Sequence, residues 1–356
     1  MTVSGPPTSL DALNRLLEIS LGFAVSQTFF SACQLGLFEA LSAGPVTTEH
    51  LAEHLGIHPQ GCRRLMAALH QLGLVERNGD GYRNSALGTY CTAASPVPLE
   101  PLAMWGSPFY HMWEFLPDAL REYGPRWQQA LGTSAQEVFA ALYEDPARLR
   151  RFTQLLTAMG QPQGEAIAEQ VDFGPYRCLL DVAGGPGSIA IPIGLRHPHL
   201  RGIIMDLPPV CAIAQERIAR NGLEGRFGTA AADLFAGPYP AGADVILLGH
   251  ILHDWNDDDC RQILRQCSAA LPPHGTLLVV EKVLNNDYSG TTAGLMMDLH
   301  MLVVSAPGGR ERSEAEYRSL LRQAGFTEIE IVRFDAPRDL MIARKGAALD
   351  LTQLGK

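Results

Sequence analysis

One stretch constrains this chain more than any other: Arg177-Cys178-Leu179-Leu180-Asp181-Val182-Ala183-Gly184-Gly185-Pro186-Gly187-Ser188-Ile189-Ala190. Residues 177–182 read as a strand buried on both faces, because the run lacks polar alternation. The glycines permit a tight turn, and a helical pattern follows to Arg196. Strand, glycine turn and helix open a doubly wound sheet, whose ligands sit beyond the carboxyl ends of its strands. The same rhythm continues to the end of the chain. Strands are expected at 201–206, 226–230 (a weak one), 243–248, 275–280, 328–332 and 339–343, with helices at 208–220, 257–270 and 313–324. Such alternation predicts a parallel, Rossmann-like α/β sheet.

Upstream of about residue 175 the pattern is helical. At 356 residues the chain is long enough for two domains of ~150 residues each. Residues 10–35 repeat apolar side chains at helix spacing until Gly36. Leu16, Leu17, Ile19, Phe23, Ala24, Val25, Phe29 and Phe30 spread over several sides of that helix. So wide an apolar surface is covered by the chain's own core or by a partner chain. Residues 47–56 read as a capped helix ending at Gly56, and 59–72 as a second one stopped at Gly73. Two strands then meet at Asn78-Gly79-Asp80-Gly81. Helix, turn, helix and wing make a winged helix, a module that can read DNA. Charge argues against that use: Arg63, Arg64, Arg77 and Arg83 are balanced by Glu49, Glu53, Glu76 and Asp80. A structural or dimerising role fits better.

Residues 95–135 carry Pro96, Pro98, Pro101, Met104, Trp105, Met112, Trp113 and Trp127. Prolines break helices and aromatic rings need burial, so an irregular packed segment is expected, walling a pocket or filling core. Helices resume at 134–143 and 146–159.

Composition narrows the partners. A formal net charge of −10 repels nucleic acid and anionic lipid. No uninterrupted run of about 18 apolar residues marks a membrane span, and no basic-then-apolar leader opens the sequence. Cys33, Cys62, Cys91, Cys178, Cys211, Cys260 and Cys267 are scattered, with no C-x-x-C pair. They read as reduced core thiols of a cytoplasmic protein.

Which ligand does the glycine loop hold? Gly185-Pro186-Gly187-Ser188-Ile189-Ala190 matches G-x-G-x-x-A, so a nicotinamide or flavin dinucleotide is one answer. Three acids favour another. Asp181 precedes the glycines, where a carboxylate opposes a pyrophosphate but suits a cation. Asp206 ends the next strand, where it can take ribose hydroxyls. Asp233 follows the weak strand and is placed to reach an adenine amino group. Each alone would be an ordinary cap or turn residue; together they suit S-adenosylmethionine, a sulfonium.

Ile251-Leu252-His253-Asp254-Trp255 follows the fourth strand, at the same sheet edge. Methyl transfer to a hydroxyl needs a base for the leaving proton, and a neutral histidine serves a phenol of pKa ~10. A carboxylate must fix its tautomer, with Glu281 and Glu311 as the candidates.

At this point nearly the whole chain resembles S-adenosylmethionine-dependent O-methyltransferases of the plant caffeate and animal acetylserotonin type, with bacterial natural-product relatives. The landmarks are Gly22-Phe23-Ala24-Val25-Ser26-Gln27, Leu35-Gly36-Leu37-Phe38, the winged helix, Asp206-Leu207-Pro208, Leu252-His253-Asp254-Trp255 and Pro307-Gly308-Gly309-Arg310-Glu311-Arg312. The resemblance implies His253 as base, flanked by Glu281 and Glu311. It implies a cofactor site of Asp181, Gly184, Gly185, Asp206, Leu207, Asp233, Leu234 and Gly249. Met159, Asp254 and the stretch Met296, Met297 to His300 would line the acceptor pocket, with no metal. It further implies a homodimerisation domain over 1–105, a helical linker over 106–174 contributing to the pocket, and a methyltransferase domain over 175–350. The acceptor would be a small aromatic or polyketide-like hydroxyl.

The chain departs from the family pattern at Ala183, where the first loop glycine is usual, and at Pro186. Gly249 stands where relatives often carry Lys or Arg, and Ala231-Ala232 precede the adenine acid. A non-methylating member of the family, a ligand-sensing winged-helix protein and a dinucleotide oxidoreductase remain the alternatives.

Overall fold

The computed structural model describes residues 8–95, 97–334 and 337–346, without the side chains of residues 102, 104, 105 and 107. Pro96 and the side chains of Met104 and Trp105 therefore lie outside the described residues. The chain divides into two compact units, Met1–Pro108 and Phe109–Lys356.

In the first unit, two helices, Ser9–Ser20 and Gly22–Gln34, stand where one was expected, with Leu21 between them outside regular helix geometry. The helix Ser9–Ser20 buries none of its residues, and Leu10, Leu13, Leu16 and Ile19 are each more than half exposed. In the chain by itself, its own core does not cover this face. By length and composition alone, Ser9–Gln34 would also suffice to cross a membrane. Asp11, Asn14, Arg15 and Glu18 break its apolar run.

Thr47 caps the helix Thr48–Leu55 by accepting from the His50 amide, and Gly56 ends it in the left-handed conformation. After the helix Pro59–Gln71, strands β1 (Val75–Asn78) and β2 (Gly81–Asn84) form the wing. Its turn is only Gly79-Asp80, because Asn78 pairs with Gly81 instead of belonging to the turn. Phe38, Leu51, Met66 and Leu69 fill the core, each fully buried and each contributing roughly 1.5–3 kcal/mol.

The expectation of an irregular segment at 95–135 is overturned. Helices run over Glu100–Trp113, Leu116–Glu122 and Trp127–Leu131. Pro101 and Pro117 sit in first turns, where the missing N–H has no helical partner to lose. Pro108 alone lies inside a helix among these.

The second unit is built on a seven-stranded sheet. Its strands are β3 (Cys178–Val182), β4 (Arg201–Asp206), β5 (Phe227–Ala231), β6 (Val245–Gly249) and β7 (Thr276–Glu281). After the short pair β8 (Val283–Leu284) and β9 (Arg312–Ser313), which stands apart, come β10 (Phe326–Val332) and β11 (Asp339–Lys345). Their order is β10-β11-β7-β6-β3-β4-β5. Five strands are parallel, but β11 runs antiparallel to β7 and β10 antiparallel to β11, so the sheet is mixed and not parallel throughout. Both faces are covered. Leu180, Ile246 and Leu277 enter one core with the helices Asp257–Ala270 and Glu314–Gln323, while Leu179, Leu247 and Leu278 enter the other. Alternate side chains thus bury on opposite faces, which is why the strands read as unbroken apolar runs.

Two helices depart from expectation. Pro146–Gln170 continues past Met159, through Gly160 and Pro162. A Cβ on Gly164 would lie 2.7 Å from the Ile189 carbonyl oxygen, so glycine lets the helix lie against the segment after β3. That close packing outweighs the local breakers. Thr292–Val304 was not anticipated: its apolar residues surround the helix and leave no periodic stripe.

Candidate active site

Strands β3 and β6 are neighbours, yet the chain leaves them toward opposite edges of the sheet. This is the switch point at which open α/β sheets bind ligands.

The loop after β3 is an acidic cradle. Asp181 is 3 % exposed, and its Oδ2 has no hydrogen-bond partner among the described residues. Burial, helped by the charge of Asp206, pushes its carboxyl well above the usual carboxylate range. A Cβ on Gly184 would lie 2.3 Å from that oxygen, so any larger residue would require the carboxylate to move. Gly185 N–H donates to Asp206 Oδ2 at 2.8 Å and Leu207 N–H to Oδ1 at 2.7 Å. Asp206 thus clasps the glycine loop to the end of β4. Ala183 takes a left-handed φ of 51°, which costs a residue with a Cβ about 1 kcal/mol.

Asp233 closes a turn after β5, its Oδ1 accepting from the Phe235 amide at 2.7 Å, and Leu234 packs on the sheet core. Gly249 ends β6; a Cβ there would lie 2.6 Å from Ile189 Cδ1, so a larger side chain would require Ile189 to move.

The loop after β6 carries the histidine. His250 adopts a left-handed φ of 61°, and its Nε2 meets Gln163 Oε1 at 3.1 Å. A short 3-10 turn, Leu252–Asp254, follows. Glu281 Oε1 accepts from the amides of Ile251 (2.8 Å) and Leu252 (2.7 Å), tying this turn to the end of β7. On its other side, Arg312 donates to the carbonyls of Leu252 and Trp255, each at 2.7 Å.

Between these ties sits His253, buried, with Nδ1 at 3.1 Å from Glu311 Oε1 and 3.6 Å from Glu281 Oε2. The Arg338 guanidinium also donates to Glu311 Oε1. Burial alone would push His253 down, but the charges of Glu281, Asp254 and Glu311 outweigh it and raise the imidazole to about 9. The two acids diverge. Burial and the charge of Glu311 push Glu281 up, whereas His253 and Arg338 overcome burial and hold Glu311 down, hence ionised.

Asp254 is half-exposed, with Oδ1 3.9 Å from His253 Nε2 and accepting from Ser305 Oγ at 3.3 Å. The helix Thr292–Val304 carries Met296, Met297 and His300, and Pro146–Gln170 carries Met159. Met159 and Met296 are exposed. Trp113 Nε1–H donates to His300 Nδ1 at 3.1 Å, and Phe109 meets the same ring edge-on at 4.9 Å. An indole nitrogen only donates, so neutral His300 carries its proton on Nε2. Burial pushes His300 down to about 4, which keeps it neutral.

The sequence reading found the acids and His253 but gave no role to Arg312, Gln163, Trp113 or His250, and it missed Arg338. Arg312 and Trp113 lay inside segments already singled out; Gln163 and Arg338 carried no motif signal.

A buried, unpartnered carboxylate oxygen beside an open glycine loop suits a cation and opposes a pyrophosphate, so these residues fit S-adenosylmethionine. Comparison with known proteins agrees. The family of O-methyltransferase domains matches residues 113–327, and that of O-methyltransferase dimerisation domains residues 7–94. Similar proteins include 3-hydroxy-5-methyl-1-naphthoate 3-O-methyltransferase of Streptomyces sahachiroi, 36 % identical over 94 % of this chain and 95 % of that protein. Another is acetylserotonin O-methyltransferase of Mus musculus, 34 % identical over 93 % of this chain and 88 % of that protein. Among solved structures, human N-acetylserotonin methyltransferase in complex with S-adenosylmethionine gives a TM-score of 0.87 at 30 % identity, covering 98 % of this chain and 100 % of that one. Fold, site and likeness together define an S-adenosylmethionine-dependent methyltransferase. The chain belongs to the O-methyltransferase family with an N-terminal dimerisation domain.

Proposed function

We propose that this enzyme methylates a hydroxyl of a small aromatic or polyketide-like natural product, with His253 as general base. The observation that carries the reading is the buried His253, aimed by Glu311 at the sheet's switch point. When bound, S-adenosylmethionine supplies an electrophilic methyl group on a sulfonium. Asp181, Gly184, Gly185, Asp206, Leu207, Asp233, Leu234 and Gly249 hold it, with Asp181 contributing an unneutralised carboxylate. His253 takes the acceptor's hydroxyl proton on Nε2, because the Glu311 carboxylate fixes the other proton on Nδ1. Glu281 holds the turn that carries it. Met159, Asp254, Met296, Met297 and His300 line the acceptor side, where methionines adapt to a flat apolar ring. His300 offers Nε2–H to an acceptor oxygen. The exposed apolar face of Ser9–Gln34, within the proposed 1–105 dimerisation domain, meets a second copy of the chain. The intervening 106–174 segment helps build the pocket, and 175–350 forms the methyltransferase domain.

The test is methyl transfer from labelled S-adenosylmethionine to a panel of phenols, including hydroxynaphthoates and N-acetylserotonin, with product mass spectrometry. An O-methyl product is expected. Donor binding without transfer to any hydroxyl on the panel would overturn the reading.

A further inference from the structure

Arg338 reaches the catalytic edge by an unexpected route. It immediately precedes β11, whose Asp339 pairs with Glu281 at the end of β7. Because β11 runs antiparallel, it starts where β7 ends, so Arg338 arrives at the edge where the parallel strands finish. The side chain is 5 % exposed. It donates to Glu311 Oε1, the same oxygen that faces His253 Nδ1. The start of β11 has other anchors: Asp339 Oδ2 lies 3.1 Å from Lys282 Nζ and 3.4 Å from Arg333 Nη1.

We propose that Arg338 is a positioning residue for methyl transfer: it shares the Glu311 carboxylate with His253, holds that carboxylate on the Nδ1 side of the ring, and adds a permanent positive charge to an acid-rich cluster. The inference rests on His253 being the base. The charged and titratable groups facing His253 are Glu281 from β7, Asp254 from its own turn, Glu311 from the segment before β9, and Arg338. His250 lies 6.3 Å away ring to ring, and His300 approaches from the helix Thr292–Val304. Tyr317 lies behind Glu281, Glu311 and Arg338. Against three carboxylates, Arg338 opposes protonation of the base, and a lysine can replace its charge but not its planar fork.

The test follows His253 by NMR in the full-length protein with 13Cε1-labelled histidine, its signal assigned with His253→Asn. In Arg338→Met the His253 midpoint should move to higher pH by about one pH unit or more, and Arg338→Lys should restore it. With a hydroxynaphthoate acceptor, the acidic limb of kcat/KM should move in the same direction. A loss of activity with both midpoints unmoved would overturn the proposal and leave Arg338 a packing residue. If Arg338→Met fails to fold because Glu311 is stranded, Glu311→Gln is compared with Glu311→Gln/Arg338→Met. The double variant must then titrate at the higher pH, and equal midpoints overturn the proposal. The titration needs neither donor nor acceptor, so its outcome is separate from that of the methyl-transfer reading, which His253→Ala tests.

Discussion

The loops after β3 and β6 leave neighbouring strands at one edge, and each spends a left-handed residue that is not glycine, Ala183 in one and His250 in the other. Electrostatically they are opposites. Around Asp181, no described residue offers the Oδ2 atom a hydrogen bond, and the charge that bears on it is that of another acid, Asp206. Around His253 the acids Glu281 and Glu311 are met by the imidazole, by backbone amides and by Arg338. One loop is completed only by a ligand that brings positive charge. The other sets its acids against an imidazole and a guanidinium of the same chain, although Glu281 Oε2 and Glu311 Oε2, like Asp181 Oδ2, accept no hydrogen bond among the described residues. On the roles proposed above, the difference separates donor binding from chemistry, and it can be broken one side at a time.

The sharpest break is His253→Ala. Turnover should fall ~10²- to 10⁴-fold, the usual worth of a general base, while calorimetric affinity for S-adenosylhomocysteine stays unchanged. Survival of turnover within a few-fold would mean that orientation supplies the rate. On the other loop, Asp181→Asn should weaken S-adenosylmethionine about tenfold, roughly 1.4 kcal/mol. The uncharged thioether of S-adenosylhomocysteine should lose less. Equal losses for the two ligands would show that Asp181 shapes the loop and does not answer the sulfonium charge.

Much of this pair of loops was legible beforehand, for a physical reason. Chemistry in an open α/β sheet collects at strand ends, so Asp181, Asp206, His253 and Glu281 could be placed by counting strands. Illegible parts arose where tertiary contact decided. The antiparallel return of β11 brings Arg338 to this edge, whereas a parallel strand would have started at the opposite one. The helix Pro146–Gln170 ignores Gly160 and Pro162 because both contact and length favour continuing, and so it delivers Gln163 to His250. The helix Thr292–Val304 has no periodic stripe to find. At the N-terminus the sequence left two covers open for the first helix, and the fold leaves no residue of Ser9–Ser20 buried.

A smaller effect tests the balance at His253. Glu281→Gln keeps an acceptor for the Ile251 and Leu252 amides but removes a negative charge 3.6 Å from Nδ1. As the proposed base, His253 works only when neutral, so kcat/KM for the acceptor should fall as pH drops through its midpoint. That midpoint is held up to about 9 by the carboxylates in the unliganded protein. Removing one should move the acidic limb down, toward the ordinary histidine value of ~6.5. The rate at pH 7 should then fall little, or rise. An acidic limb that stays in place would show that Glu311 alone sets the base.

The smallest expected effect lies in the glycine loop. Ala183 holds φ at 51°, where its Cβ crowds the backbone, while glycine there would meet no such penalty. Ala183→Gly removes about 1 kcal/mol of strain and returns part of it through the freer unfolded chain. A net gain of roughly 0.5 kcal/mol amounts to a Tm rise of about 0.7 °C for a chain of 356 residues. Calorimetry reads this directly, with affinity for S-adenosylmethionine as the second measurement. If the strained alanine pre-forms the cradle over Asp181, the glycine variant gains stability and loses affinity. If stability and affinity rise together, the alanine is a burden on the proposed binding loop.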